Sequence, residues 1–146
     1  SIAMGFSEGL AAVKTNEGQW AYIDKSGNQV IQGDFYFPTS FSDGLARVDY
    51  EQYVRSGFID KTGRKVIDTD GHSSITDFHS GFASYFDVKK QTGFVIDKKG
   101  KIIASFPNAR LREFVGRIYQ VTKYENGRSI GECYINVLDG TEYCDE

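Results

Sequence analysis

The sequence predicts an all-β protein of four tandem repeats of about 36 residues, each a three-stranded antiparallel meander. Residues that favour strands, namely Val, Ile, Thr, Tyr, Phe and Trp, outnumber Ala, Leu and Met by 51 to 13. The 16 glycines supply the turns that many short strands need, and only 2 prolines interrupt the chain. The third and strongest observation is that two sequence blocks recur in register.

The first block begins with phenylalanine and opens each unit. Its copies start at Phe6, Phe41, Phe78 and Phe114, at spacings of 35, 37 and 36 residues. The first three copies read FSEGLAAV, FSDGLARV and FHSGFASY, and the fourth, FVGRIYQV, retains least of the pattern. We interpret the recurring glycine within each unit as the point where the chain turns into the first strand.

The second block contains the other two strands of each unit. It reads YIDKSGNQVI, FIDKTGRKVI, VIDKKGKII and YINVLDG, beginning at Tyr22, Phe58, Val95 and Tyr134. Aspartate followed three residues later by glycine predicts a type I turn with a following bulge. The third strands are predicted at Val30–Ile31, Val66–Ile67 and Ile102–Ile103.

These blocks predict a single repeat domain spanning residues 1–146, with units at about 6–40, 41–77, 78–113 and 114–146. A three-stranded meander cannot cover its own apolar face. We therefore expect the leading phenylalanine and the second-strand Tyr or Phe to pack on a neighbouring unit. The units are predicted to form an open twisted array, and a closed propeller-like ring is the alternative.

The two blocks resemble the WG repeat family, also described as KWG repeats. These are bacterial tandem arrays whose unit reads approximately F-S-E-G-L-A-x-V followed by W-G-Y-I-D-K-x-G. The Trp-Gly pair is not intact, because Trp20-Ala21 and Ser56-Gly57 stand in its place. The resemblance implies an all-β scaffold with a binding or spacer role. We accordingly expect a non-catalytic module that is part of a larger bacterial protein and binds a protein or another macromolecule.

Charge and hydropathy limit the classes of partner that we expect for this chain. The net charge is −3 and the sequence has no Lys/Arg cluster, which argues against nucleic acid as a partner. No stretch approaches the roughly 18 apolar residues of a membrane-spanning helix, so no transmembrane segment is predicted. No motif indicates a cofactor. A protein is the partner we favour, and a glycan is the alternative.

Non-repeating aromatic residues are the candidate binding surface. They are Phe35, Tyr36, Tyr50 and Tyr53. A tyrosine ring with a polar tip suits protein interfaces and stacking on sugars. These residues motivate the alternative of a carbohydrate or cell-envelope binding module, and packing between units explains them equally well.

The loop around His72 is the only candidate for catalysis. It holds Asp68, Asp70 and His72, which suggests a hydrolase as a further alternative or a metal site. A polar turn between repeats contains the same residue types, and the ligands of a calcium loop are missing. We therefore predict that the protein is not an enzyme and assign no catalytic or metal residue. His79 occupies the serine position of the first block and is interpreted as structural.

Two cysteines lie near the C-terminal end of the sequence. Cys133 and Cys144 are eleven positions apart and are candidates for a disulfide, with two free thiols equally compatible. The location stays unknown, and a secreted or cell-envelope location in a bacterium is favoured.

Overall fold

Every regular element in the described part of the chain is a β-strand. A computed structural model describes residues 3–50, 55–69, 72–73 and 75–144, with the backbone alone at residues 72, 73, 113 and 114. Within these ranges there is no helix, all strand pairs are antiparallel and no sheet closes into a barrel, which confirms the predicted fold class. Accordingly, the part of the chain that is described contains no helix able to cross a membrane. The chain divides into two compact units, residues 1–71 and 72–146.

Unit 1 contains two three-stranded meanders. Their strand orders are β1-β2-β3 and β4-β5-β6, and each follows the order of the sequence. The strands are β1 (Ala11–Lys14), β2 (Trp20–Ile23), β3 (Gln29–Gln32), β4 (Leu45–Tyr50), β5 (Arg55–Asp60) and β6 (Lys65–Asp68).

Unit 2 contains two four-stranded sheets. Their orders are β10-β9-β8-β7 and β11-β12-β13-β14. The strands are β7 (His72–Ser73), β8 (Phe82–Asp87), β9 (Thr92–Asp97), β10 (Ile102–Pro107), β11 (Ala109–Val115), β12 (Ile118–Glu125), β13 (Arg128–Asn136) and β14 (Glu142–Cys144). In both sheets the predicted meander is present, and the extra strand, β7 or β11, precedes it in the chain.

The segment before a first strand pairs with that strand, which was not predicted. The Thr39 N–H donates to the Arg47 carbonyl at 2.9 Å, and the Thr39 hydroxyl oxygen accepts from the Arg47 N–H at 2.9 Å. Thr76 makes the same two bonds with Ser84, each 2.9 Å long. A threonine two residues before the leading phenylalanine therefore holds the connecting segment against the first strand.

A two-residue turn joins this segment to the first strand. Ser7 and Leu10 exchange backbone hydrogen bonds of 2.8 and 3.0 Å around Glu8 and Gly9. Both turn residues have positive φ, 51° at Glu8 and 85° at Gly9, as a type I′ hairpin turn requires. Positive φ at both turn positions recurs at Asp43–Gly44 and Ser80–Gly81. The repeated glycine is thus explained by the backbone of this hairpin.

The Asp-Lys-x-Gly turns have the predicted form. One Asp24 carboxylate oxygen accepts from the N–H groups of Ser26 and Asn28, both at 2.9 Å, and Gly27 has a φ of 83°. The pairing of β2 with β3 shifts register beside this turn, which is the expected bulge. Hydrogen bonds from Asn28, first from its backbone N–H, lower the pKa of Asp24.

The third strand of the third repeat differs from the predicted alignment by one residue. Ile31 lies opposite Tyr22, and the residue opposite the equivalent Val95 is Ala104. Ala104, rather than Ile103, therefore occupies the position of Ile31. The prediction matched apolar residues, whereas the preceding turn determines the register.

The unit 1 core is shared between its two meanders, as predicted. The buried Tyr22 ring meets Phe41 edge-on with centroids 4.9 Å apart, and its hydroxyl donates to the Thr39 carbonyl at 2.7 Å. Phe41 and Phe78 are buried, but Phe6 is 50% exposed, contrary to the expectation for leading phenylalanines. The described residues before Phe6 contain no meander that could offer it a counterpart of Tyr22.

Candidate functional site

An open groove lies beside the first meander of unit 1. Its volume is about 460 Å³, which is within the range of small-ligand sites. The walls come from the β1–β2 hairpin and from the segment that follows β3. The aromatic groove, as we name it, is defined by Lys14, Gln19, Trp20, Asp34, Tyr36 and Phe37.

The β1–β2 hairpin positions the first wall. Strand pairing places Trp20 directly opposite Lys14. The turn between them is closed by Thr15, whose N–H donates to the Gln19 carbonyl at 2.7 Å and whose hydroxyl accepts from the Gln19 N–H at 3.2 Å. The Trp20 indole packs against the core on one side and is only half-buried. Part of the ring is therefore available to a ligand.

Tyr36 and Phe37 form the second wall. Tyr36 exchanges backbone hydrogen bonds of 2.7 and 2.9 Å with Asp49 of β4. Phe37 has a φ of 46°, which is uncommon for a bulky residue and precedes the buried Pro38. Their side chains are 38% and 49% exposed. Because its backbone is paired, the exposed Tyr36 ring is largely preorganised for contact.

A second cavity, of about 510 Å³, also includes Tyr36 and reaches the β4–β5 hairpin. Tyr50 lies half-buried in it, and the Lys65 Nζ is 5.2 Å from the Tyr50 ring centroid. Lys65 also pairs with the Asp68 carboxylate at 3.5 Å. Burial raises the pKa of Tyr50, and the charge of Asp68 raises it further. The Tyr50 hydroxyl therefore stays protonated and can donate a hydrogen bond.

The aromatic residues predicted to bind lie in different surroundings. Tyr36 and Tyr50 line the two cavities. Phe35 is 6% exposed and packs on Tyr22 with ring centroids 5.8 Å apart, so it takes the packing alternative and not the surface position. Successive residues of an extended segment point to opposite sides, so Phe35 faces the core where Tyr36 faces solvent. Tyr53 lies outside the described residues.

Trp20 was not predicted as a ligand contact, because it stands at a strand position of the repeat. It stands two residues before the buried Tyr22 in β2, so the two side chains lie on the same face of the sheet. Unlike Tyr22, it lies next to the hairpin turn, where the core ends. The lysine on the opposite strand, Lys14, is the sequence signal that could have identified this position as a rim.

The backbones of both histidines take part in antiparallel pairing. His72 begins β7 and lies opposite Asp87 in the ladder, and its side chain is not among those described, nor is Asp70. His79 exchanges two backbone hydrogen bonds with Phe82, as Ser7 does with Leu10 in the first repeat. The hydrolase hypothesis for His72 stays a prediction.

Cys133 and Cys144 form a disulfide between β13 and β14. They lie opposite each other in the ladder with Cα atoms 4.2 Å apart. A Glu142 carboxylate lies near both sulfurs. The sulfurs of a disulfide are not thiolates, the form of cysteine that binds metal, so we assign the bridge a structural role.

One segment of unit 1 matches a known family. Residues 20–51 match the family model described as "WG containing repeat". Residues 20–51 thus contain a WG repeat. The matched segment begins with Trp20 at the start of β2 and runs past the end of β4, so the family's unit joins the later strands of one meander to the first strand of the next.

No curated protein sequence matches this chain. One solved structure, titled "Oligogalacturonate lyase in complex with manganese", is similar over 86% of this chain and 41% of that chain, with 17% sequence identity and a TM-score of 0.49. This chain thus spans about two fifths of the length of that protein.

Proposed function

We propose that this chain is a non-catalytic binding module whose aromatic groove receives a macromolecular ligand. The observation that supports this proposal is the placement of Trp20, Tyr36 and Phe37 around one open groove with a polar rim. Aromatic rings offer a large contact area at a low cost in side-chain entropy. The polar rim, which includes Gln19 and Asp34, orients a ligand through hydrogen bonds.

Fluorescence provides a direct test, because Trp20 is the single tryptophan of the chain. The chain is titrated with a panel of oligosaccharides and peptides while the Trp20 emission is recorded. A ligand that enters the groove changes this emission, and Tyr36→Ala weakens its binding about tenfold or more. Tyr143→Ala is the matched control, since Tyr143 is 59% exposed on β14. Equal affinity of the Tyr36→Ala variant and the parent chain would reject the groove.

A protein partner that adds a strand is the second candidate. Val30 and Val66 occupy equivalent positions on β3 and β6, and they are 46% and 39% exposed. Both strands end their sheets, and in the described part of the chain no strand pairs with their outer edges. Such an edge can accept an extended segment of another protein.

Hydrogen exchange tests strand addition. A partner protein that adds a strand slows exchange in β3 or β6, and Val66→Lys weakens the complex. Val88→Lys is the control, because Val88 is similarly exposed, at 51%, in the β8–β9 turn. Slower exchange confined to other strands would count against this candidate.

A further inference from the structure

The aromatic groove has a counterpart in unit 2, and we propose that both cavities bind a neutral saccharide chain, so that each protein chain carries two sites. This inference rests on the proposed function, because it names the ligand class of the groove and adds a second site of the same kind.

The counterpart is a cavity of about 450 Å³, which we name the unit 2 cleft. It lies between the β8–β9 hairpin, the segment after β10 and the tip of the β12–β13 hairpin. Its defining residues are Phe86, Gln91, Asn108, Arg110, Tyr124 and Glu125.

Strand registers place the two cavities at the same point of the repeat. Ala11 lies opposite Ile23 in the β1–β2 ladder, and Ala83 lies opposite Ile96 in the β8–β9 ladder. The other equivalent positions lie at equal distances along the chain from these matched pairs, with the bulge before the third strand present in both repeats. Four equivalent positions line both cavities. With the residue of the aromatic groove given first, the pairs are Lys14 and Phe86, Gly18 and Gln91, Phe35 and Asn108, and Phe37 and Arg110. The same four positions of the repeat thus line a cavity in both units.

Backbone hydrogen bonds fix the walls of the unit 2 cleft. The Asn108 N–H donates to the Gln91 carbonyl at 2.7 Å, and the Asn108 carbonyl accepts from the Tyr124 N–H at 2.8 Å. The Arg110 guanidinium lies over the Phe86 ring, 4.4 Å from its centroid. Two planar groups, the guanidinium and the half-buried Tyr124 ring, therefore line a cleft of fixed shape.

The chemistry of the two cavities is also alike. Each contains an aromatic ring, a side-chain amide, one cation and one carboxylate. The charged pair is Lys14 and Asp34 in the aromatic groove, and Arg110 and Glu125 in the unit 2 cleft. Balanced charge favours neither a polyanion nor a polycation. Amide and charged groups both donate to and accept from hydroxyls, and a flat ring fits the apolar face of a sugar.

Calorimetry with neutral hexasaccharides of glucose, xylose, mannose and N-acetylglucosamine tests the proposal. We expect one of them to bind at two sites per chain, with affinity changing less than about threefold between low salt and about 0.5 M salt. Tyr36→Ala removes one site and Tyr124→Ala removes the other. Trp20 emission responds only to the first site, and Tyr143→Ala retains both. Circular dichroism verifies the fold of each variant, and Arg110→Gln replaces Tyr124→Ala if that variant is unfolded.

The outcomes separate this inference from the proposed function. A single site that is lost in Tyr36→Ala and kept in Tyr124→Ala overturns the second site and leaves the proposed function in place. Binding of a peptide at the groove, without binding of any hexasaccharide, overturns the ligand class alone. Binding restricted to anionic saccharides, with steep salt dependence, overturns the neutral ligand. Failure of every saccharide and peptide to bind contradicts both proposals.

Discussion

Two glycines are required because another strand passes close to them. A Cβ at Gly57 would lie 2.5 Å from the Ile67 carbonyl oxygen, and one at Gly93 would lie 2.6 Å from the Ala109 carbonyl oxygen. Gly57 occupies the glycine of the Trp-Gly pair. The glycine at this position of the second repeat is therefore explained by the close approach of β6.

Gly57→Ala is expected to reduce the free energy of unfolding by about 1–3 kcal/mol, because strand backbone cannot move away as a flexible side chain can. Gly131→Ala is the matched control, since a Cβ there would meet no atom within 4 Å. The control is expected to stay within about 0.5 kcal/mol of the parent chain. Chemical denaturation measures both, and equal losses would contradict the role of close approach.

The turn aspartates make stability depend on pH at the acid end. Hydrogen bonds to Asp24 lower its pKa in the folded chain, so its ionised form contributes stability that is fully present above the unfolded pKa of about 3.9. That contribution is lost as the pH falls through the lower folded pKa. Asp24→Ala should therefore lower the denaturation midpoint at pH 7 and converge with the parent chain at lower pH. Lys25→Ala, in the same turn, serves as control, and a difference independent of pH would refute this account.

At the scale of elements, Glu8 connects the two meanders of unit 1. Its carboxylate oxygens accept from the Gly44 N–H at 3.0 and 3.3 Å, and one of them pairs with Lys61 Nζ at 3.3 Å. Lys61 also donates to the Glu8 carbonyl at 3.2 Å. Since Glu8 stands in the I′ turn of one repeat and Gly44 in that of the next, the glutamate of the FSEGL block has a role between repeats.

Glu8→Ala is expected to lower the free energy of unfolding by about 1 kcal/mol, because it removes both the acceptor of Gly44 and the ion pair. Glu8→Gln keeps an acceptor and should lose less. Glu17→Ala provides the comparison, as Glu17 is exposed in the β1–β2 turn. Chemical denaturation in low and high salt separates the two contributions, and an Ala variant as stable as the parent would exclude the proposed link.

Local sequence signals predicted the strands and turns well, and they failed where pairing between separate segments determines the structure. The Asp24 turn and the strands around it could be read from the sequence, because an aspartate and a glycine at fixed spacing define the turn. The pairing of Thr39 with Arg47 could not, since the segment that contains Thr39 shows no strand pattern. The position of Ala104 in the third strand was also missed, because the prediction aligned apolar residues and gave less weight to the preceding turn.

At the scale of the whole molecule, the repeat was predictable and the candidate site only in part. Tyr36 and Tyr50 were found because they break the repeat. Trp20 was missed because it follows the repeat, and a groove is assembled from residues of both kinds. The unit 2 cleft was not predicted, because different residue types stand at equivalent positions of the two cavities and only strand register shows the equivalence.

The disulfide tests how stability is distributed along the chain. Cys133 packs with Val121 and Ile135 in a core cluster of unit 2, and its bond to Cys144 holds β14 on β13. The cluster around Tyr22 is formed by residues of unit 1. In a repeat protein, stability is approximately a sum of terms within and between neighbouring repeats. A change at the last strand should therefore act most strongly on its own sheet.

Reduction of the bridge, or Cys144→Ser, is expected to destabilise unit 2 by about 2–3 kcal/mol. Cys144 is the better site for substitution, because it is exposed whereas Cys133 is buried. Hydrogen exchange should accelerate in β12 to β14 and remain unchanged in β1 to β6, with the oxidised chain in the same buffer as control. Equal acceleration in both units would mean that the chain unfolds as one cooperative body, and the additive description of its repeats would then be wrong.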